Sequence, residues 1–330
     1  MTGDRPMVPA RPARVLLLTH AAMLHHASPG HPERPERLAP VIAGVEDGAV
    51  AAGAELARRA VTAIDDETLA AVHAPAYVEA LEEAEGRGGG WLDPDTYLVP
   101  GSMAAARLAA GATVTAALAV AVGDADVAFA AVRPPGHHAS SDRGSGFCLL
   151  NNVALAVIAL RRSGLARRVA IVDWDVHHGD GTQAIFDADP DLCYASTHQS
   201  PFYPGTGAAS ARGSGAALGS KHNWPLPAGS GDTAFVAAWR NDLLPAIEAF
   251  APQAVLVSAG YDAHRDDPLA NLSVSEEGYR AVGETLGALA RRLVLPGVAL
   301  SLEGGYELAA LRASAAATVE GLLFGLMRPG

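Results

Sequence analysis

The sequence predicts an α/β fold, a mostly parallel sheet with helices on both faces. Short aliphatic runs alternate with helical stretches along nearly the whole chain, as they must when each parallel strand is followed by a crossover helix. Apolar residues supply 49% of the 330 positions and charged residues 18%, enough to bury a large core and too apolar for a disordered chain. Several aliphatic runs end in glycine together with titratable residues, as strands of an open parallel sheet do where they deliver a ligand site. No composition shift divides the chain, so one domain over 1–330 is expected, with 1–13 as an N-terminal tail.

Taken in order, the first strand is expected at 15–18, four aliphatic residues in a row. Arg11 and Arg14 precede it as in a leader peptide, but Thr19 and His20 end the run short of the roughly 7–15 apolar residues of such a segment. A helix follows at 102–122, Ala-rich and opened by Ser102 as N-cap. Its apolar stretch, 108–122, is shorter than the roughly 20 residues that span a bilayer, so no membrane partner is expected. The second core strand is 127–131. The helix at 151–162 has Asn151 or Asn152 as N-cap and Gly164 just past its end. Strand 169–172, a Gly/Ser/Ala-rich surface loop at 205–220, helix 233–250 and strand 254–258 come next. Ser273 with Glu276 reads as a capping box for helix 276–293, and 298–302 is the last strand.

Charge and cysteine usage exclude some function classes. With 24 Lys+Arg against 36 Asp+Glu, net −12, the chain lacks the basic balance of a nucleic-acid binder. Cys148 and Cys193 are the only cysteines, too few for a disulfide framework and in keeping with a reducing cytoplasm.

Four strand ends are loaded with chemistry. Strand 127–131 runs into Arg133-Pro134-Pro135-Gly136-His137-His138, and 169–172 into Asp173-Trp174-Asp175-Val176-His177-His178-Gly179-Asp180. Strand 254–258 leads to Gly260-Tyr261-Asp262, and 298–302 to Glu303-Gly304-Gly305-Tyr306. Ligands of open parallel sheets bind beyond the carboxyl ends of strands, so these loops should share one crevice. In extended chain Asp173, Asp175 and His177 point to one side. Asp175 and His177 can therefore hold one metal ion, with Asp262 as third ligand, the donor set of a catalytic zinc site with an open position. Hard oxygen ligands also admit Fe(II) or Mn(II). Taken alone, an Asp-x-His pair is more often a salt bridge or cap, and it is the other three strand ends that raise the metal reading.

Two carboxylates neutralise a divalent ion, so a separate base would help ionise water. His137 and His138 supply imidazoles that titrate near neutrality, and Asp173 and Asp180 are available to orient them. His25-His26 lacks a preceding strand and flanking glycines, and reads as a surface or core pair. Tyr306, after two glycines, can donate to an oxyanion, with an aromatic core plug as the plain alternative. Gly146-Phe147-Cys148 and Phe202-Tyr203-Pro204 can line an aliphatic tunnel. Structural core competes for both. Cys148 reads as a buried small residue.

These residues resemble the histone deacetylase superfamily, specifically its class II-like bacterial amidohydrolases. The likeness runs from His31-Pro32-Glu33-Arg34-Pro35-Glu36-Arg37-Leu38 through 133–139, 146–154, 173–183, 204–207 and 258–262 to 303–306, in family order. It implies an arginase-like three-layer α/β/α fold around about eight mostly parallel strands. It also implies zinc-dependent hydrolysis of an N-acetyl amide on a lysine of a peptide or protein, or on a small acylated amine. Asp175, His177 and Asp262 then match the zinc ligands, for which Fe(II) is the alternative ion. His137 and His138 match the paired histidines, His138 as general base, with Asp173 and Asp180 as their partners and Tyr306 as the catalytic tyrosine. Phe147 and Tyr203 match the tunnel aromatics beside Gly146, Tyr203 standing where phenylalanine is more usual. The resemblance further implies K+ or Na+ at Asp173, Asp175, His177 and Ser196, and at Phe186 through backbone carbonyls. Arg37 matches an arginine of an exit channel for acetate, and Asp93 or Asp95 the rim aspartate that holds substrate. The Ala/Arg/Gly-rich composition is in keeping with a bacterial source, and a homo-oligomer is compatible with the likeness. Three rivals stay open: an acetylpolyamine or other small-molecule amidohydrolase, an arginase-type two-metal enzyme, and a non-catalytic acyl-lysine or metal-binding module.

Overall fold

The structure, a computed structural model, describes residues 11–327. Its ten strands are β1 (Arg14–Leu18), β2 (Glu55–Arg58), β3 (Gly90–Trp91), β4 (Tyr97–Leu98), β5 (Val127–Ala130), β6 (Val169–Asp173), β7 (Leu192–Gln199), β8 (Lys221–Leu226), β9 (Ala254–Ala259) and β10 (Val298–Leu302). Eight form one parallel sheet in the order β2-β1-β5-β10-β9-β6-β7-β8, while β3 and β4 make a small antiparallel ribbon. β5, β6 and β10 are buried along their whole length, as expected of parallel strands covered on both faces.

The five strands expected from the sequence are all present, within a residue or two at their ends. The three further strands of the main sheet carry weaker signals. β2 is an exposed edge strand, Glu-Leu-Ala-Arg. β8 holds Pro225, tolerated because it too lies on an edge. β7 is fully buried yet ends in Thr197, His198 and Gln199, whose polar side chains hide its strand pattern.

The helices are α1 (Leu38–Ala51), α2 (Asp66–Ala70), α3 (Pro75–Gly86), α4 (Ser102–Ala121), α5 (Asn152–Arg162), α6 (Asp180–Phe186), α7 (Asp232–Ala238), α8 (Leu244–Phe250), α9 (Glu276–Arg292) and α10 (Leu308–Met327). α4 packs on α5, while α10 packs between α1 and α9. The latter helices approach closely: a Cβ at Gly321 would lie 2.3 Å from Arg280 O, and one at Gly44 2.3 Å from Arg312 O. α4 and α10 are long and apolar enough to cross a membrane, but 67% and 61% of their apolar windows are buried inside the fold. They are core helices.

Four local expectations need correction. Ser102 does not cap α4; Gly101 holds that position in a left-handed conformation, and Ser102 Oγ accepts instead from Val99 N. The cap of α9 is Ser275, accepting from Glu277 N, and not Ser273. The helix expected at 233–250 is interrupted by a π turn at Trp239–Leu243, because Pro245 cannot donate to the helix ladder. Of the tail expected at 1–13, residues 1–10 lie outside the described residues, whereas Arg11 pairs with Asp126 and Ala13 is buried, so these two belong to the fold. Asn151, by contrast, does cap α5.

Candidate active site

β5, β10, β9 and β6 are consecutive in the sheet. The chain makes β5, leaves for β6, β7 and β8, then returns to insert β9 and β10 into the gap. The four loaded strand ends therefore stand side by side, at the switch point where ligands of such sheets bind.

Asp175, His177 and Asp262 come together with ligand atoms within 4.8 Å of one another. His177 Nδ1 lies 3.1 Å from Asp175 Oδ1 and 3.3 Å from Asp262 Oδ2. Both carboxylates are fully buried, and Asp262 Oδ2 makes no hydrogen bond. Burial and the nearby Asp175 push the Asp262 carboxyl upward from its ordinary value. A buried carboxylate oxygen without a hydrogen bond is expensive, and a divalent cation shared with His177 would answer it. The backbone leaves room for these oxygens: a Cβ on Gly304 would sit 2.0 Å from Asp262 Oδ2 and 2.6 Å from Asp175 Oδ2. The residues fit a divalent metal ion.

The two imidazoles stand beside the triad, ring centroids 4.1 Å apart. His137 Nδ1 is 3.1 Å from Asp173 Oδ2, and His138 Nδ1 is 2.7 Å from Asp180 Oδ1. Burial works against charge on His137, but Asp173 and Asp175 outweigh it and raise the group well above its ordinary value. Burial and neighbouring His137 bring His138 down to about 4. Gly146, at φ +55°, is needed for contact: a Cβ there would lie 2.3 Å from His138 Cδ2.

Tyr306 is buried across the pocket, its ring 4.8 Å from the Arg37 guanidinium and edge-on to Phe147 at 5.8 Å. Burial raises its phenol well above the ordinary value, so it stays a hydrogen-bond donor. These groups open onto a cavity of about 230 Å³ whose walls include Asp95, Phe147, Phe202, Tyr203 and Leu269. Phe202, which carried no individual role in the sequence reading, stacks on His177 at 5.3 Å, and Tyr203 meets His138 edge-on at 5.2 Å. Of the two rim candidates, Asp95 lines the cavity, whereas Asp93 Oδ1 caps the turn by accepting from Asp95 N and Thr96 N.

Other expected residues are placed as follows. Ser196 pairs with Asp173 across β6 and β7, and its Oγ meets His198 Nδ1 at 2.9 Å. Phe186 ends α6 under the Arg161 guanidinium. Arg37 is fully buried, donating to Gly305 O, Glu303 O and Glu33 Oε1. His26 stacks on Tyr97 in the core while His25 is exposed, as the plain reading of that pair had it. Cys148 is buried, and burial raises its thiol.

Four supports had no role in the sequence reading. Glu303 ties three strand ends, accepting from Gly136 N and His137 N on one oxygen and from Ser258 Oγ on the other. Asp267 Oδ2 accepts from Tyr306 N at 2.6 Å. Tyr194 OH donates to Asp173 Oδ2 at 2.9 Å. Glu33, between Arg37 and Arg133, is held at about 2 by those cations against its complete burial. Glu303 and Glu33 lie inside the motifs at 303–306 and 31–38, which was the available signal. Asp267 and Tyr194 carried none.

A family model described as the histone deacetylase domain matches residues 31–322. A probable deacetylase of Archaeoglobus fulgidus is 40% identical over 283 residues, 86% of this chain and 78% of that protein. The histone deacetylase-like amidohydrolase of Pseudomonas aeruginosa is 37% identical, covering 85% of this chain and 74% of its own length. Among solved structures, the HD domain of HDA15 aligns with TM-score 0.87 at 36% identity, over 95% of this chain and 90% of that one. Acetylpolyamine aminohydrolase from Burkholderia pseudomallei aligns with TM-score 0.82 at 33% identity, over 93% and 98%.

Proposed function

Because the chain belongs to the histone deacetylase family, we propose that it hydrolyses the N-acetyl amide of acetyl-lysine, or of a related acylated amine, to free amine and acetate. The observation that carries this reading is the buried triad, whose Asp262 Oδ2 makes no hydrogen bond, set beside an imidazole pair and a phenol, with Asp175, His177, both imidazoles and the phenol lining one aromatic-walled cavity. Asp175, His177 and Asp262 would hold the ion, zinc by their nitrogen–oxygen set with Fe(II) as the alternative; when bound it supplies Lewis-acid polarisation of the acyl carbonyl and eases ionisation of water.

The chain's own groups do the rest. Phe147 and Tyr203 flank an aliphatic substrate stem and exclude bulk water. His138, held by Asp180, accepts the proton of the attacking water. The Tyr306 phenol donates to the carbonyl oxygen as it becomes anionic. An imidazolium then returns a proton to the amine nitrogen as its bond to the acyl carbon breaks, leaving acetate. A monovalent cation near Asp173, Asp175, His177 and Ser196 is part of the same proposal.

A second substrate reading, an acetylpolyamine, draws on the acidic Asp95 at the mouth, suited to a second cationic amine. Metal-replete protein should be assayed on acetyl-lysine peptides and on acetylpolyamines. Turnover of either chooses between the substrates, and inertness on every acylated amine overturns the enzymatic reading. Asp262→Ala should lose bound metal and activity together.

A further inference from the structure

Lys221 opens β8, and its side chain is fully buried. Lysine is rarely buried without a paired carboxylate, yet none of the ion pairs among the described residues includes it. Its Nζ donates instead to Asp189 O at 3.2 Å, Leu192 O at 2.9 Å and Ser220 Oγ at 2.6 Å. An ammonium has three donors, and all three are used. Its three hydrogen-bond partners are neutral oxygens, two of them backbone carbonyls, which is how carbonyl cages replace the water shell of a monovalent cation; the Asp189 and Asp187 carboxylates act on the charge only through space.

Asp189 O and Leu192 O belong to the turn that follows Phe186 and the start of β7, and Ser220 Oγ to the end of the long loop before β8. Phe186 O accepts from Asp189 N, and Asp187 O accepts from Ser214 N of the long loop. Gly213 lets that loop close over the lysine: a Cβ there would meet Lys221 Cγ at 3.1 Å and Ala217 O at 2.7 Å. The ammonium thus fastens the α6–β7 turn, the end of the loop and β8 to each other. The sequence resemblance had placed a monovalent ion at the backbone carbonyls by Phe186. The residues present do not fit a free ion at this turn, because a covalently tethered cation already caps Asp189 O and Leu192 O.

We propose that Lys221 is a built-in monovalent cation, so that this turn takes no K+ or Na+. The inference is independent of the reaction, and its readout is stability. Thermal unfolding is measured for wild type, Lys221→Ala and Lys221→Met in KCl, NH4Cl and N-methylglucamine chloride at equal ionic strength. Lys221→Ala opens space for an ion, whereas Lys221→Met fills it with an apolar stem. Lys221→Ala should melt about 5 °C below wild type in the bulky salt, and K+ or NH4+ should restore at least half of that loss, beyond any response of wild type. Lys221→Met should be destabilised and not restored. Equal loss of Lys221→Ala in all three salts, or wild-type stability of Lys221→Met, overturns the proposal. If Lys221→Ala is recovered folded only when prepared in K+ or NH4+, that supports it; failure to fold in every salt overturns it.

Discussion

His137 and His138 are neighbours in sequence and in space, each backed by an aspartate, yet their surroundings differ. Asp173 is fully buried, and besides His137 it accepts from the Tyr194 hydroxyl and from Asp175 N. Asp180 is 16% exposed at its side chain and has Arg143 3.8 Å away. The carboxylates around the first imidazole push it well above its ordinary value, while burial and its neighbour bring the second down to about 4. Two identical side chains are thus set for opposite proton duties by environment alone. A neutral imidazole can accept a proton, and a charged one can stabilise or donate.

The largest expected effect tests that division directly. His138→Ala should lower kcat by about 10²–10⁴-fold, the range for a general base, with KM moving far less. His137→Ala should leave more activity, and its removal should raise the His138 group and shift the acidic limb of the pH–rate profile upward. An unshifted limb would break the comparison.

Next, Asp180→Asn should cost about 10–100-fold in activity with little change in Tm. Asp173→Asn should in addition destabilise by about 1–3 kcal/mol, since three donors converge on that buried carboxylate. Comparable melting temperatures for the two variants would erase the distinction between a structural and a solvent-facing partner.

His26 and His73 extend the contrast to imidazoles with no catalytic role proposed. Burial is the main cause that brings each down to about 4 from 6.5. The unfolded chain takes up protons that the folded chain refuses, so their contribution is complete above about 6.5 and is lost as pH falls through about 4. Thermal melts between pH 7 and 5 should show falling Tm, with a shallower slope in His73→Gln. The smallest effect should be Tyr203→Phe, within about 0.5 kcal/mol of wild-type stability because that residue is half exposed. A change in substrate preference there would sharpen its place at the mouth.

The legible part of the molecule was the part whose signals are local. β5, β6, β9 and β10 read as aliphatic runs because both faces are buried, and their loaded ends follow directly in the chain. Edge strands β2 and β8 have one open side, so polar residues and a proline are allowed and the pattern fades. Asp267 was invisible for a different reason. It holds Tyr306 N from 39 residues away, and no short-range pattern marks an aspartate whose partner is a distant amide. Lys221 likewise reads as an ordinary charged residue until the carbonyls of the preceding turn close around it.

By itself the sequence determined the alternating architecture, the chemistry at four strand ends and the Asp-x-His spacing that turns two ligands to one side of an extended chain. These follow from backbone periodicity and need only neighbouring residues. The tertiary structure alone decided that β9 and β10 return between β5 and β6, which brings Asp262 and Tyr306 to His137, His138 and Asp175. It also decided which imidazole is pushed up and which down, because protonation answers to burial and to fields from residues far off in the chain, and those distances exist only once the sheet has closed.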